Sequence, residues 1–152
     1  MTKVNYFAEA PKAMQILFEQ EEYLKSQFTE QQALGMKLLE LVKLRVSQIN
    51  QCAFCIDMHS KDAESAGESW QRLIGLSAWR EAPYYSVNER LALECAERLT
   101  ACTELDDELY QKALDAFGAK ALVDLSIAIN AINSWNRIAI TFKPEVGSYK
   151  PS

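Results

Sequence analysis

The C-terminal part of the sequence constrains the fold most strongly. Between residues 119 and 141, large apolar residues recur at helical spacing, namely Leu122, Leu125, Ile129, Ile132, Trp135 and Ile138. This is the most apolar periodic segment of the chain, and its spacing predicts a helix. Because a helix that is apolar over much of its surface is a buried one, we expect it near the centre of a helical core or against another subunit.

The rest of the chain also has the composition and pattern of helices. Only five glycines and four prolines occur among 152 residues, and they lie between periodic segments. No run of alternating apolar and polar residues is bounded by a hairpin dipeptide, which disfavours a β architecture. A chain of this length can bury a core without disulfide or metal support. We therefore predict an all-α fold of about six to seven helices, with a single domain over residues 1–152.

Capping signals predict where the helices begin and end. Ahead of the last helix, we expect a first helix from Pro11 to about Gln27, a second from Thr29 to about Asn50 and a third from about Cys52 to Gly67. A short helix through Trp70, Leu73 and Ile74 follows, then one from Ser86 to about Ala101 and one from Thr103 or Asp106 to near Gly118. Gln32 completes a capping box with Thr29, and Glu89 completes a second one with Ser86.

Charge excludes several classes of partner. The chain has 16 basic and 21 acidic residues, a net charge of −5, and no block of one sign, so we expect neither a nucleic-acid surface nor attachment to an anionic membrane. The uncharged stretches Val46–Ile56 and Leu125–Asn136 are shorter than the ~20 residues of a membrane span. The N-terminus becomes acidic before a signal-peptide core forms. We expect a cytoplasmic protein, in which a close cysteine pair is more often catalytic or metal-binding than structural.

The segment from residue 52 to residue 59, with sequence CAFCIDMH, carries the candidate chemistry. Since a helix turns about 100° per residue, Cys52, Cys55 and His59 fall on one face. The cysteines lie where the first helical turn begins, and the free N–H groups there favour a thiolate. His59 is the only histidine and the natural proton acceptor. Glu40, on the preceding predicted helix, is placed to orient it.

Simpler interpretations stay open for each of these residues. The two cysteines could be small buried apolar residues that happen to be three apart. Cys52, Cys55, His59 and Glu40 could bind zinc, although structural zinc sites usually use two separated ligand pairs and rarely a carboxylate. We interpret Cys95 and Cys102 as packing residues. The charged residues of the third helix form its solvated side in this interpretation: Asp57, Lys61, Asp62 and Glu64.

These motifs together resemble a known family. Glu40 followed by Cys52-x-x-Cys55-x-x-x-His59, within the run from Leu41 to Asn50, resembles the alkylhydroperoxidase D-like (AhpD-like) branch of the carboxymuconolactone decarboxylase family. The likeness extends to residues 76–83 (LSAWREAP), 89–90 (ER) and 134–137 (SWNR), and so covers most of the chain. It implies an all-α fold assembled into homo-oligomers. It also implies a thiol peroxidase that cycles between dithiol and disulfide.

The resemblance also assigns roles to the residues of the motif. It implies that Cys55, nearer the histidine, attacks the peroxide, that Cys52 resolves the resulting sulfenic acid, and that His59 and Glu40 relay protons. One position departs from the pattern, because a well-studied member has a second histidine between the cysteines where this chain has Phe54. The relay implied for this chain is therefore one member shorter.

We predict a peroxidase that reduces hydrogen peroxide or organic hydroperoxides and is recharged by an external dithiol, without a cofactor or metal. The residues alone support this chemistry, because a second thiol three positions away captures a sulfenic acid before further oxidation. Exchange with a dithiol then restores the pair. Two alternatives remain: a redox-responsive binding module without useful turnover, and a decarboxylase acting on a carboxylated lactone. The second does not call for a Cys-x-x-Cys pair.

Overall fold

A computed structural model describes residues 3–151, and the regular structure within them is helical throughout. The seven helices of this range are α1 (Tyr6–Glu9), α2 (Pro11–Glu30), α3 (Met36–Ile49), α4 (Ala53–Ser65), α5 (Trp70–Gly75), α6 (Val87–Thr100) and α7 (Asp107–Phe142). A 3₁₀ turn, Leu76–Ala78, follows α5. The predicted all-α class and number of helices are confirmed.

Helices α3 and α7 lie at the centre of the main core. Leu125 and Ile129 of α7 have no exposed surface and Ile132 is 1% exposed, so the prediction that this helix is central is confirmed. They pack with apolar residues of α2, α3 and α6. The opposite side of α3 contributes Leu41 and Leu44 to a second cluster with α4, α5 and the turn after it. Helix α3 is thus covered on both sides, which fixes the residues that it presents to α4.

The predicted helix start at Thr29 is wrong. Thr29 lies in the last turn of α2, where its hydroxyl donates to the Lys25 carbonyl at 2.7 Å instead of capping a new helix. Helix α3 begins only at Met36, after Gly35. Threonine can satisfy its hydroxyl on the carbonyl four residues earlier. Helix α2 continues to this point because Phe28, 1% exposed, lies in the core.

The other capping signals agree better with the structure. Ser86 and Glu89 form the predicted capping box at the start of α6. Asp106 caps α7 by accepting from the Leu109 N–H at 2.9 Å, so of the two predicted starts it is Asp106 that is used. Helix α7 is interrupted at Gly118, with φ 77° and ψ 164°, near the predicted boundary. The single turn α1 was not predicted. Within residues 3–151, no helix combines the length and apolarity needed to cross a membrane.

Candidate functional site

The connection between α3 and α4 places the two motif cysteines. Cys52 is the N-cap of α4, and its sulfur accepts from the Cys55 N–H at 3.3 Å. Cys52 and Cys55 are joined by a disulfide, with their Cα atoms 5.3 Å apart. Each is 2% exposed. The predicted position of the pair at a helix N-terminus is confirmed, and the bond joins the two residues that the redox hypothesis pairs.

One turn beyond Cys55, His59 is held by Glu40 of α3. The His59 Nδ1 lies 2.8 Å from a Glu40 carboxylate oxygen, and the two residues are 4% and 6% exposed. Burial alone would raise the pKa of Glu40, but the hydrogen bond from His59 and the charges of His59 and Lys43 hold it below its usual value. An ionised carboxylate only accepts, so Nδ1 carries a hydrogen, and Nε2 is the ring nitrogen left to take or give a proton at the cavity.

A cavity of about 490 Å³ brings these groups to one place. Cys55, His59 and Glu40 all line it, whereas Cys52 does not. Much of its remaining wall is aromatic: Tyr6, Phe7, Phe18, Phe54, Trp135 and Tyr149. A larger groove of about 830 Å³ lies between α6 and the start of α7, but none of its lining residues is a cysteine or histidine. The cavity beside Cys55 is therefore the candidate active site.

One wall of the cavity carries a partly buried ion pair that the sequence did not predict. Lys43, 6% exposed, pairs with Glu21 of α2. The Trp135 indole N–H donates to the other oxygen of Glu21 at 3.1 Å. Lys43 follows Glu40 by three residues, so helical spacing from a candidate site residue was the signal that pointed to it.

Asp62 lies on the cavity side of α4 and not on the solvated side that the sequence predicted. It is half-buried, and it accepts a hydrogen bond from the Tyr149 hydroxyl at 2.7 Å. Burial, the largest effect, and the negative charge of Glu40 raise the pKa of Asp62 against the opposing bond from Tyr149. Asp62 follows His59 by three residues, so its helical face could have identified it.

Glu40, His59 and Asp62 are the residues of this site that could hold a cation, since their ligand atoms lie within 4.8 Å of one another. The His59–Glu40 bond and the Tyr149 hydroxyl already occupy atoms of all three, and we assign no metal site. The four-residue zinc set considered from the sequence is not assembled, because the sulfurs of Cys52 and Cys55 bond to each other.

The segment after α7 forms one edge of the cavity. Pro144, Ser148 and Tyr149 line it. Lys61 donates to the Tyr149 carbonyl at 3.0 Å, and the Gly147 N–H donates to Asp57 at 3.2 Å. These bonds hold the C-terminal segment against α4. Its polar sequence gave no signal of this contact.

The other two cysteines lie outside the site. Cys95 is buried, as predicted for a packing residue, and burial raises the pKa of its thiol to about 11. Cys102 is exposed at the end of α6, so its interpretation as a packing residue is wrong.

Comparison with known sequences identifies relatives over most of the chain. Residues 11–98 match the model of the carboxymuconolactone decarboxylase family. The uncharacterized protein YdfG of Bacillus subtilis (strain 168) is 44% identical over 140 residues, which span 91% of this chain and 92% of YdfG. The uncharacterized protein YnjA of Escherichia coli (strain K12) is 39% identical over 95 residues, 61% of this chain and 52% of YnjA.

Solved structures agree in fold. A protein of unknown function from Agrobacterium tumefaciens, provisionally named antioxidant defence protein AhpD, superposes with a TM-score of 0.87 at 35% identity, over 98% of this chain and 100% of that one. An uncharacterized peroxidase-related protein from Silicibacter sp. TM1040 has the same fold, with a TM-score of 0.79 at 19% identity over 93% and 74% of the two chains. The chain therefore belongs to the carboxymuconolactone decarboxylase family, in its AhpD-like branch.

Proposed function

We propose that the protein is a thiol peroxidase that reduces hydrogen peroxide or organic hydroperoxides through a Cys52–Cys55 dithiol/disulfide cycle. One observation carries the proposal: of the two cysteines that form the disulfide, Cys55 lines the cavity that also contains the His59–Glu40 pair. A nucleophile, a base and a residue that orients the base then surround one space large enough for a small substrate.

In the first step, His59 takes the proton of the reduced Cys55 thiol, and Glu40 stabilises the imidazolium that forms. The thiolate attacks the terminal oxygen of the hydroperoxide. The S–O bond forms as the O–O bond breaks, and the leaving alkoxide takes the proton from His59. The products are a sulfenic acid on Cys55 and an alcohol, or water when the substrate is hydrogen peroxide.

In the second step, the Cys52 thiol attacks the Cys55 sulfenic acid. The S–S bond forms, the S–O bond breaks, and the hydroxyl leaves with the thiol proton as water. An external dithiol returns the pair to the reduced form through a mixed disulfide. With both cysteines 2% exposed in the disulfide form, that reductant must move a cavity wall to reach a sulfur. We expect this cycle in the cytoplasm, where dithiol reductants operate.

The charges of the cavity favour a peroxidase over a lyase. Glu21, Glu40 and Asp62 face the cavity with Lys43 as the one lysine among its lining residues, and Lys43 is already paired with Glu21. A substrate with carboxylate groups would meet this negative charge without a free cation to neutralise it. The aromatic wall instead suits a neutral organic hydroperoxide. The names of the solved relatives, an antioxidant defence protein and a peroxidase-related protein, point the same way.

We also propose that the protein forms homo-oligomers. Trp70, Ile74 and Val87 are 55%, 74% and 72% exposed, and contact with another subunit would remove this apolar surface from water. Sedimentation velocity measures the oligomeric state directly, and a monomer at micromolar concentration would contradict the proposal.

The peroxidase is tested by counting thiols in the reduced, full-length protein before and after one equivalent of cumene hydroperoxide or hydrogen peroxide. We expect loss of the Cys52 and Cys55 thiols within seconds, reversal by dithiothreitol, and no turnover in Cys55→Ser. Cys52→Ser should stop at a sulfenic acid that dimedone traps. Cys102→Ser is the matched control and should behave as wild type. Undiminished turnover in Cys55→Ser would refute the peroxidase. A disulfide that forms only over hours would favour the redox-responsive module.

A further inference from the structure

A buried row of polar side chains joins α7 to the connection between α3 and α4. Asn50 donates its amide hydrogens to the side-chain oxygens of Asn133 and Asn136, both at 2.9 Å. Asn136 in turn donates to the Ser47 hydroxyl at 3.0 Å. Asn136 and Ser47 have no exposed surface and Asn133 is 8% exposed. Water therefore cannot replace the bond between Asn136 and Ser47. The Ser47 hydroxyl also donates to the Lys43 carbonyl at 2.7 Å, so losing Asn136 removes the donor to Ser47 and leaves that second bond in place.

This row reaches the backbone of Cys52. The Ser47 carbonyl accepts the Cys52 N–H at 3.1 Å. The intervening Gln51 has a φ of 55°, which residues other than glycine adopt only where neighbouring contacts hold them. Ala139, three residues after Asn136 on α7, packs against both cysteines. One side of α7 thus anchors the segment that ends at Cys52 and also contacts the disulfide.

We propose that Asn136 is a positioning residue for Cys52: through Asn50 and Ser47, it holds the α3–α4 connection so that the Cys52 sulfur stays within bonding reach of Cys55. The inference deepens the proposed function and rests on it for its role in the cycle. It concerns the step in which the Cys52 thiol displaces the hydroxyl of the Cys55 sulfenic acid, forming the S–S bond and releasing water.

The structure separates this step from the attack on peroxide. The attack uses Cys55, His59 and Glu40, none of which bonds to Asn136. The closing step depends on the distance between two sulfurs within one chain, and a misplacement of about 1 Å can slow such a reaction about 100-fold. Removing the Asn136 side chain leaves Ser47 without its donor and Asn50 with one acceptor fewer. The connection is then free to shift.

The test compares the reduced, full-length protein with its Asn136→Ala variant in glutathione redox buffers. Oxidised glutathione first forms a mixed disulfide on Cys55, and the Cys52 thiol then displaces reduced glutathione to close the Cys52–Cys55 bond. We expect the equilibrium constant for closure to fall about tenfold or more in Asn136→Ala, with glutathione retained on Cys55. With hydrogen peroxide, the rate of the first oxidation should stay within about twofold of wild type while dimedone-trapped Cys55 accumulates.

Gln31→Ala is the matched control. Gln31 also donates its amide to α7, at 2.6 Å to Asp124, but it does not line the cavity. Its closure constant should equal that of wild type. Ser47→Ala removes the acceptor of Asn136 at the end of the row nearest Cys52, and it carries the same expectation if Asn136→Ala does not fold.

Unchanged closure in a folded Asn136→Ala variant, or an equal loss in Gln31→Ala, would overturn the positioning role. The two proposals fail separately. If hydrogen peroxide does not oxidise wild-type Cys55, the peroxidase is refuted, whereas the glutathione equilibrium still decides what Asn136 does.

Discussion

Replacing Glu40 by glutamine tests the site through both stability and rate. Glutamine has nearly the same shape and can still accept from the His59 Nδ1–H, so the change chiefly removes a charge. Both partners are more than nine-tenths buried and 2.8 Å apart, and a hydrogen bond to a charged group contributes about 1.5–3 kcal/mol. We therefore expect Glu40→Gln to lower the free energy of unfolding by about 2 kcal/mol at pH 7, or Tm by roughly 4–8 °C.

The pKa of Glu40 predicts how this difference in stability changes with pH. The pKa of Glu40 in the folded protein is held below the ordinary value of 4.5. A carboxyl group of this kind stabilises the fold above that ordinary value, and the contribution is lost as the pH falls through the lower, folded-state pKa. The difference in the free energy of unfolding between wild type and Glu40→Gln should therefore have its full size at pH 7 and shrink steadily below pH 4.5.

The assay is urea unfolding of the oxidised protein between pH 7 and pH 3.5, with Glu64→Gln as the control, since Glu64 is exposed on α4. Stopped-flow oxidation of the reduced protein should show Cys55 reacting about tenfold to a hundredfold more slowly, because His59 loses the charge that stabilises its protonated form. A stability difference that does not change with pH, or an equal loss in Glu64→Gln, would refute the reasoning.

Three further predictions concern the surroundings of the site. Asp62→Asn should raise the free energy of unfolding at pH 7 by up to about 1 kcal/mol, because the raised pKa of Asp62 means that folding disfavours its ionised form, while the amide oxygen still accepts from Tyr149. In pH-dependent unfolding the gain should fade as the pH falls from the raised, folded-state pKa towards the ordinary value of 3.8, and it should be absent below that value. Glu97→Gln should lower the free energy of unfolding in urea by about 1–3 kcal/mol. The hydrogen bond that Arg45 donates at 2.8 Å would then be accepted by a neutral amide instead of a carboxylate. Gly118→Ala should lower the free energy of unfolding, measured by thermal unfolding, by about 1–3 kcal/mol, because a backbone with φ 77° and ψ 164° is almost restricted to glycine.

Each of these has a clear contrary result. A stability loss for Asp62→Asn at pH 7 would mean that its charge is satisfied in the fold. For Glu97, an exposed control is Glu104→Gln, which should have no effect; an equal loss in the two variants would contradict the assigned contact. For Gly118, no atom lies within 4 Å of an added Cβ, so a neutral result would show that the helix break relaxes.

The sequence determined the features that depend on local order along the chain. Helical spacing predicted the central position of α7, and the Ser86–Glu89 capping box was predicted from two residues three apart. The position of Cys52 and Cys55 at the start of α4, with His59 one turn on, follows from the same periodicity. At Thr29, a capping signal for a new helix competed with the continuation of α2, and the burial of Phe28 decided the outcome. Burial is not visible in a short window of sequence.

Only the tertiary structure decided which residues meet at the cavity. Glu40 and His59 are 19 residues apart, and Tyr149 and Asp62 are 87 apart. No periodicity links such pairs, because their contact depends on how α3, α4 and the C-terminal segment pack. Glu40 was named in advance from its place on the preceding helix and from the family resemblance, whereas Lys43 and Tyr149 were not named and Asp62 was assigned to the solvated side. The packing also decided that Cys55, rather than Cys52, lines the cavity, since a cavity is formed by several elements and helical spacing along α4 does not show where it lies.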